Sequence, residues 1–327
     1  MVAPQVEAVL AAGGPRLTRL LGATEDRLLE VAEGHGEALS AHASGILAAG
    51  GKRLRPVLVY LCAGASEGAE LVRAGVAVEL VHMATLVHDD VLDRAPLRRG
   101  RPTVYADAGR TAATATGDLL FSRAFAELVP TGSVAALRAL SAASSALAHG
   151  ELMQRADAWS AAVTPERYLT RCEHKTARLF EAAARLGAIF GDATARQAEA
   201  SLAAFGSRIG LAFQILDDVL DVSGPTERTG KLRGADLLDG TVTLPLILAR
   251  RRDPELAELD LARAVGGPAQ AEALCRRIEG TGALEEARRQ ALGYVEEAKA
   301  ALAGAELDEE RARALELVAD GVVERYA

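Results

Sequence analysis

Residues 78–93, VELVHMATLVHDDVLD, and residues 208–221, RIGLAFQILDDVLD, decide how this chain is read. Each is an apolar run that ends in the same pentapeptide, DDVLD. Upstream stand Val78, Leu80, Val81, Ala84, Thr85 and Leu86 in one copy, and Ile209, Leu211, Phe213, Ile215 and Leu216 in the other. A helix that is apolar nearly all round is a buried helix. Residues four apart share a helical face, so Asp89 projects with Asp93 and Asp217 with Asp221. Asp90 and Asp218 are rotated from their neighbours by about 100°. Loop sequence follows each copy, which places the acids at helix C-termini, where each anion is disfavoured by roughly 0.3–1 kcal/mol. Like charges at i, i+4 add to that penalty. A lone acidic pair of this kind reads as a solvated helix end. Two identical clusters on buried helices need compensation. Oxygen-only donor sets suit hard cations, above all Mg²⁺ shared with phosphate oxygens, and no His or Cys is spaced for zinc. The two copies therefore read as halves of a magnesium–phosphate clamp.

The rest of the chain sets the frame. It has 327 residues, half of them hydrophobic but only 4 % aromatic, in a composition rich in helix formers. No series of short alternating strands appears, so the fold class is all-α, read as one domain over residues 1–327. The main breaks are GGKRLRP (50–56), RAPLRRGRPT (94–103), VPTGS (129–133), AVTPE (162–166) and the long stretch 222–240. Thr164 is expected to cap a helix with Pro165 in its first turn. A net charge of −8 argues against nucleic-acid binding. No uninterrupted apolar run of spanning length and no secretory leader pattern are present, so a cytoplasmic protein without a transmembrane segment is expected. Cys62, Cys172 and Cys275 are far apart and read as idle thiols.

Phosphate also needs cations. GGKRLRP supplies Lys52, Arg53 and Arg55 beside glycines that allow close approach, without the spacing of a Walker loop. Arg98, Arg99 and Arg101 follow the first acids, Lys175 and Thr176 stand in HKTARLF, and Lys231 follows the second acids. Arginine suits bidentate phosphate recognition.

GGKRLRP, HDDVLDRAPLRRGRPT, GELMQ, KTARLF, FQILDDVLD and GKLRGADLLDGTVTLP, in this order, resemble the motifs of trans-isoprenyl diphosphate synthases of the polyprenyl synthetase family. The resemblance implies an isoprenoid-synthase-type helical bundle around a central apolar cavity, and a homodimer. It implies a prenyltransferase that ionises an allylic diphosphate with three Mg²⁺ and lets isopentenyl diphosphate attack the cation before a proton is lost. By similarity, Asp89, Asp93 and Asp217 hold metal, with Asp90, Asp218 and Asp221 in support. Arg98, Lys175 and Lys231 grip the allylic diphosphate, and Lys52, Arg55, His82 and Arg99 that of isopentenyl diphosphate. Thr176 and Gln214 lie along the reacting chain, with Phe213 beside the prenyl groups. The catalytic set is Asp89, Asp93, Asp217, Lys175, Lys231 and Gln214. His88 has no matching role and reads as structural, as does Gln154 in GELMQ. Thr241 stands where many relatives have Lys, so one phosphate contact is expected to be missing.

In the family that this chain resembles, shorter-chain members often carry a bulky aromatic four or five residues before the first aspartate. Here those positions are Thr85 and Ala84, with Val81 and Ala77 further along. A block there would sit about a turn from the acids, so its absence predicts a product of about C30 or longer. The alternatives are a short-chain farnesyl or geranylgeranyl synthase, a class I terpene cyclase, and the catalytic subunit of a heteromeric synthase. The double basic set speaks against the cyclase, and two intact acid motifs against a non-catalytic subunit.

Overall fold

A computed structural model describes residues 4–48, 51, 53–98, 100–224 and 233–324. Helices dominate: α1 (Pro4–Ala32), α2 (Glu37–Ala48), α3 (Leu54–Cys62), α4 (Ala69–Leu92), α5 (Val104–Leu128), α6 (Val134–Ala156), α7 (Pro165–Cys172), α8 (Arg178–Phe190), α9 (Ala193–Gln197) and α10 (Glu199–Ser223). After residue 232 come α11 (Ala235–Leu238), α12 (Leu244–Arg252), α13 (Pro254–Glu258), α14 (Leu261–Ala264), α15 (Pro268–Gly280), α16 (Ala283–Ala303) and α17 (Glu309–Glu324). The stretch after the first DDVLD is a small antiparallel hairpin, β1 (Leu97–Arg98) with β2 (Arg101–Pro102), pairing Leu97 with Pro102 and Arg98 with Arg101. The long break at 222–240 is shorter than its sequence suggests. Helix α10 runs on to Ser223, residues 225–232 lie outside the described residues, and α11 occupies part of the remainder.

The chain forms two compact units. The first comprises the described parts of Met1–Ser144, Leu179–Gly206 and Ala301–Val318. Here α4 packs along α5 and against α1 and α3. Leu17, Leu28, Leu58, Leu71, Leu80, Leu120, Phe180 and Phe205 are wholly buried, each worth roughly 1.5–3 kcal/mol of apolar transfer. Buried Glu127 on α5 is held by Arg27 at 2.7 Å and Arg73 at 3.1 Å, which offsets the cost of taking a carboxylate out of water. Arg311 donates to the Leu61 and Cys62 carbonyls, satisfying groups that the end of α3 leaves open. Helix α4 has the length and apolar content to cross a membrane, which the search for uninterrupted runs did not predict. Most of its apolar stretch is buried inside this unit, and that accounts for its composition.

The second unit comprises the described parts of Ser145–Arg178, Ser207–Ala300 and Ala319–Ala327. Tyr168, Ile209, Ile215, Leu244, Leu246, Ile278, Leu284 and Val295 form its core. Thr164 caps α7 as expected: its hydroxyl accepts from the Arg167 amide at 3.3 Å, with Pro165 in the first turn. The segment Glu173–Ala177 is a widened π-type turn, a distortion often found at functional sites. Trp159 donates its amide to the Gly240 carbonyl at 2.8 Å, and its ring lies against Gly240. Any side chain at 240 would strike that ring, and its φ of 77° also favours glycine. Cys62, Cys172 and Cys275 are free and buried, in keeping with their idle reading.

Candidate active site

In the first unit, α4 has one open stripe. His82, Thr85, Leu86 and Asp89 are half-buried and Asp93 is exposed, whereas Ala77, Val81 and Ala84 are fully covered. The spacing of seven between His82 and Asp89 is two helical turns, so both belong to the stripe. Asp93 ends the helix, its amide bonded to the Asp89 carbonyl at 2.8 Å, and Arg94 (φ 49°) turns the chain out through the left-handed region. The hairpin then returns Arg98 to α4, where Nε donates to Asp90 Oδ1 at 2.8 Å. Asp90 is buried against this guanidinium, while Asp89 and Asp93 stay on the open side. Thr85 donates its hydroxyl to the His82 carbonyl. His88 stacks on Phe121 and lies 3.4 Å from Asp118, consistent with a packing role.

The basic loop before α3 is sorted by its contacts. Arg53, buried and left-handed at φ 46°, bonds Glu25 at 2.5 and 3.0 Å and Glu79 at 2.9 Å. Those two acids occupy it, so it anchors the loop and does not offer its charge to phosphate. Arg55 lies over the Phe180 ring at 4.7 Å, and its buried Nε has no hydrogen-bond partner among the described residues. Burial pushes its guanidinium down to about 10, still charged at neutral pH. An unsatisfied, partly dehydrated guanidinium is suited to an oxyanion. Lys52, Arg99 and Lys231 lie outside the described residues.

In the second unit, α10 shows the same stripe. Phe213, Gln214, Asp217 and Asp221 are half-buried, while Asp218 is 4 % exposed. Tyr168 Oη donates to Asp218 Oδ2 at 2.7 Å, Gln214 Nε2 donates to Oδ1 at 2.7 Å, and Thr176 Oγ1 donates to Gln214 Oε1 at 2.6 Å. Burial first, then the negative charge of Asp236, raises the Asp218 carboxyl, and the hydrogen bonds from Tyr168 and Gln214 and the charge of Arg171 act against the rise. Asp221 Oδ2 accepts from the Asp236 amide at 3.2 Å.

Lys175 sits on the widened turn, and GELMQ proves to be its seat. Gly150 brings α6 so close that a Cβ there would stand 2.6 Å from the Lys175 amide nitrogen. Lys175 Nζ donates to Glu151 Oε2 at 2.6 Å and to Gln154 Oε1 at 3.2 Å. Burial would raise the Glu151 carboxyl, but Lys175 and Arg155 outweigh it and hold it below the usual range. Arg155 bridges on to Asp239 at 3.3 Å, and Thr241 donates to the same carboxylate at 3.3 Å. Thr241 is thus a buried structural residue. Glu151 and Tyr168 were missed from the sequence. Tyr168 lies seven residues before Lys175, two helical turns, and a buried phenol needs a hydrogen-bond partner; that was the available signal.

The donor chemistry fits Mg²⁺. Each DDVLD presents its first and last carboxylates on an open stripe, offering oxygen ligands without nitrogen or sulfur. Among the described residues no three acidic, His or Cys side chains converge into a complete cage.

Comparison with known proteins agrees with this chemistry. The family model described as polyprenyl synthetase matches residues 37–277. The chain is 38 % identical over 258 residues to a geranylgeranyl diphosphate synthase of Methanosarcina mazei, covering 77 % of this chain and 79 % of that one. It is 37 % identical over 262 residues to the octaprenyl diphosphate synthase of Escherichia coli, covering 79 % and 81 %. The crystal structure of a polyprenyl synthase from Caulobacter crescentus, complexed with calcium and isoprenyl diphosphate, superposes with a TM-score of 0.86 at 37 % identity, covering 95 % and 98 %. The chain is a member of the polyprenyl synthetase family.

Proposed function

We propose that this prenyltransferase condenses an allylic diphosphate with isopentenyl diphosphate, in a Mg²⁺-dependent reaction, to give a trans-polyprenyl diphosphate of about C30 or longer. The observation that carries this reading is the repeated stripe: two helices that each bury the second aspartate of DDVLD and leave the first and last open. Asp89, Asp93 and Asp217 are the metal-holding residues in this reading, with Asp221 in support. Bound Mg²⁺ supplies neutralisation of the charge that builds on the leaving diphosphate. Lys175, Arg98 and Lys231 bind and orient that diphosphate, with Lys175 aimed by Glu151 and Gln154. Arg55, His82, Lys52 and Arg99 bind the second diphosphate, and the orphaned Nε of Arg55 supports this division. Gln214 and Thr176 turn oxygen lone pairs toward the developing cation, and apolar surroundings exclude water. The whole chain works as one synthase domain, in a cytoplasmic homodimer.

The absence of an aromatic at Val81, Ala84 and Thr85 supports the long product. A short-chain reading draws on the geranylgeranyl synthase relative. The deciding experiment incubates the purified chain with farnesyl or geranylgeranyl diphosphate, labelled isopentenyl diphosphate and Mg²⁺, and chromatographs the products. Products of about C30 and above, lost on chelation, are expected. Products that stop at C20 support the short-chain reading. Turnover without isopentenyl diphosphate supports a cyclase, and inactivity rescued by a second protein supports a heteromeric synthase.

A further inference from the structure

Tyr168 is fully buried, bears a hydroxyl, and has no part in the assignments above. Its Oη opens a directed row of hydrogen bonds. Tyr168 donates to Asp218 Oδ2, Gln214 donates to Asp218 Oδ1, and Thr176 donates to Gln214 Oε1, all between 2.6 and 2.7 Å. Burial raises the phenol above its ordinary pKa, so it stays a donor. With the Gln214 amide nitrogen committed to the carboxylate, its carbonyl oxygen must face Thr176. Reversing the amide would set Oε1 against Oδ1, oxygen against oxygen. The Thr176 hydrogen is used inside the row as well. Gln214 keeps one further N–H, but the oxygens it and Thr176 leave open, Oε1 and Oγ1, present lone pairs, the negative ends of their dipoles.

We propose that Tyr168 is a positioning residue and that, through Asp218, it fixes the polarity of Gln214 and Thr176, with Asp218 acting as their anchor and not as a metal ligand. This rests on the reading that Gln214 and Thr176 flank the developing allylic cation. Both carboxylate oxygens of Asp218 are engaged within the row, and its side chain is on the buried side of α10, away from the stripe of Asp217 and Asp221.

The test compares Tyr168→Phe, Gln214→Leu, their double variant and Asp218→Asn in the full chain. Single-turnover condensation gives the rate, calorimetry with Mg²⁺ and inorganic pyrophosphate gives ligand binding, and thermal denaturation monitors folding. The proposal expects Tyr168→Phe to slow condensation about tenfold, the worth of one buried hydrogen bond, with KM and pyrophosphate binding within about twofold. In the Gln214→Leu background Tyr168→Phe should have no further effect, because the group it positions is gone. Asp218→Asn should keep Mg²⁺–pyrophosphate binding and still slow condensation, which serves if Tyr168→Phe does not fold. A wild-type rate in Tyr168→Phe, or multiplying effects in the double variant, would overturn the proposal. So would loss of Mg²⁺–pyrophosphate binding in Asp218→Asn. A wild-type rate in Gln214→Leu alone would instead overturn the underlying reading of Gln214, and the proposal with it.

Discussion

Asp90 and Asp218 hold the same position in the same pentapeptide and are buried to the same degree, 5 % and 4 % exposed. Their partners differ in kind. Asp90 meets the guanidinium of Arg98, returned to it by the hairpin eight residues on. Asp218 meets a phenol from 50 residues upstream and an amide one turn before it on its own helix. The first arrangement balances charge with charge. The second gives a buried carboxylate two neutral hydrogen-bond donors, with the charge of Arg171 farther off, and uses it to orient dipoles. Identical residues on identical stripes are thus put to different work by what packs behind them. The front of each helix is common to both, and the back distinguishes them.

That comparison can be broken in several ways. The largest effect is expected at the shared front. Asp89→Ala and Asp217→Ala should each lower steady-state turnover by about 10³-fold or more at saturating Mg²⁺, as loss of a main electrostatic element of a site does. If either variant kept near-normal turnover, the equivalence of the two stripes would be lost. Lys175→Ala should raise KM for the allylic substrate by about 100-fold and leave KM for isopentenyl diphosphate nearly unchanged. Glu151→Gln should do the same more weakly, about tenfold, because it removes one charged hydrogen bond to the ammonium. Equal changes in both KM values would show that Lys175 serves both diphosphates.

At the buried backs the contrast is one of stability. Asp90→Asn should lower the unfolding free energy of the metal-free protein by about 1–3 kcal/mol, since it leaves Arg98 without its charged partner. Asp218→Asn should change it by less, about 1 kcal/mol, since no guanidinium is hydrogen-bonded to Asp218 and the new side chain keeps the shape. Chemical denaturation of the two variants side by side measures the difference. Equal losses would mean that the two anchors are interchangeable.

The stripe also sharpens the product-length argument. Thr85 is on the open side of α4, but Ala84 and Val81 are covered. Thr85→Phe should shorten the product with little change in stability. Ala84→Phe should cost about 1–3 kcal/mol through overpacking before it reports on chain length. Thr241→Lys is expected to be the mildest change, within about threefold in rate, because Thr241 adds one long hydrogen bond to an Asp239 already paired with Arg155.

Much of this was legible in advance. The 3.6-residue period alone put Asp89 with Asp93 and Asp217 with Asp221, and turned Asp90 and Asp218 away. Local chemistry likewise placed the Thr164 cap. The basic loop was legible in composition and not in use: Arg53 and Arg55 look equivalent in GGKRLRP, yet Glu25 and Glu79 engage one and leave the other's Nε open. GELMQ was visible as a motif, and its role emerged only when Gly150 brought Glu151 and Gln154 to Lys175.

The sequence by itself determined the helical class, the family and the face on which each acid lies, because these follow from backbone geometry within a few residues. The tertiary structure decided which charge each residue meets. Many of those partners come from 20 to 50 positions away, as with Tyr168 and Asp218, Lys175 and Gln154, or Arg53 and Glu25. A partner at that distance is chosen by packing, and the cost of leaving a buried polar group unpaired is what makes the choice specific.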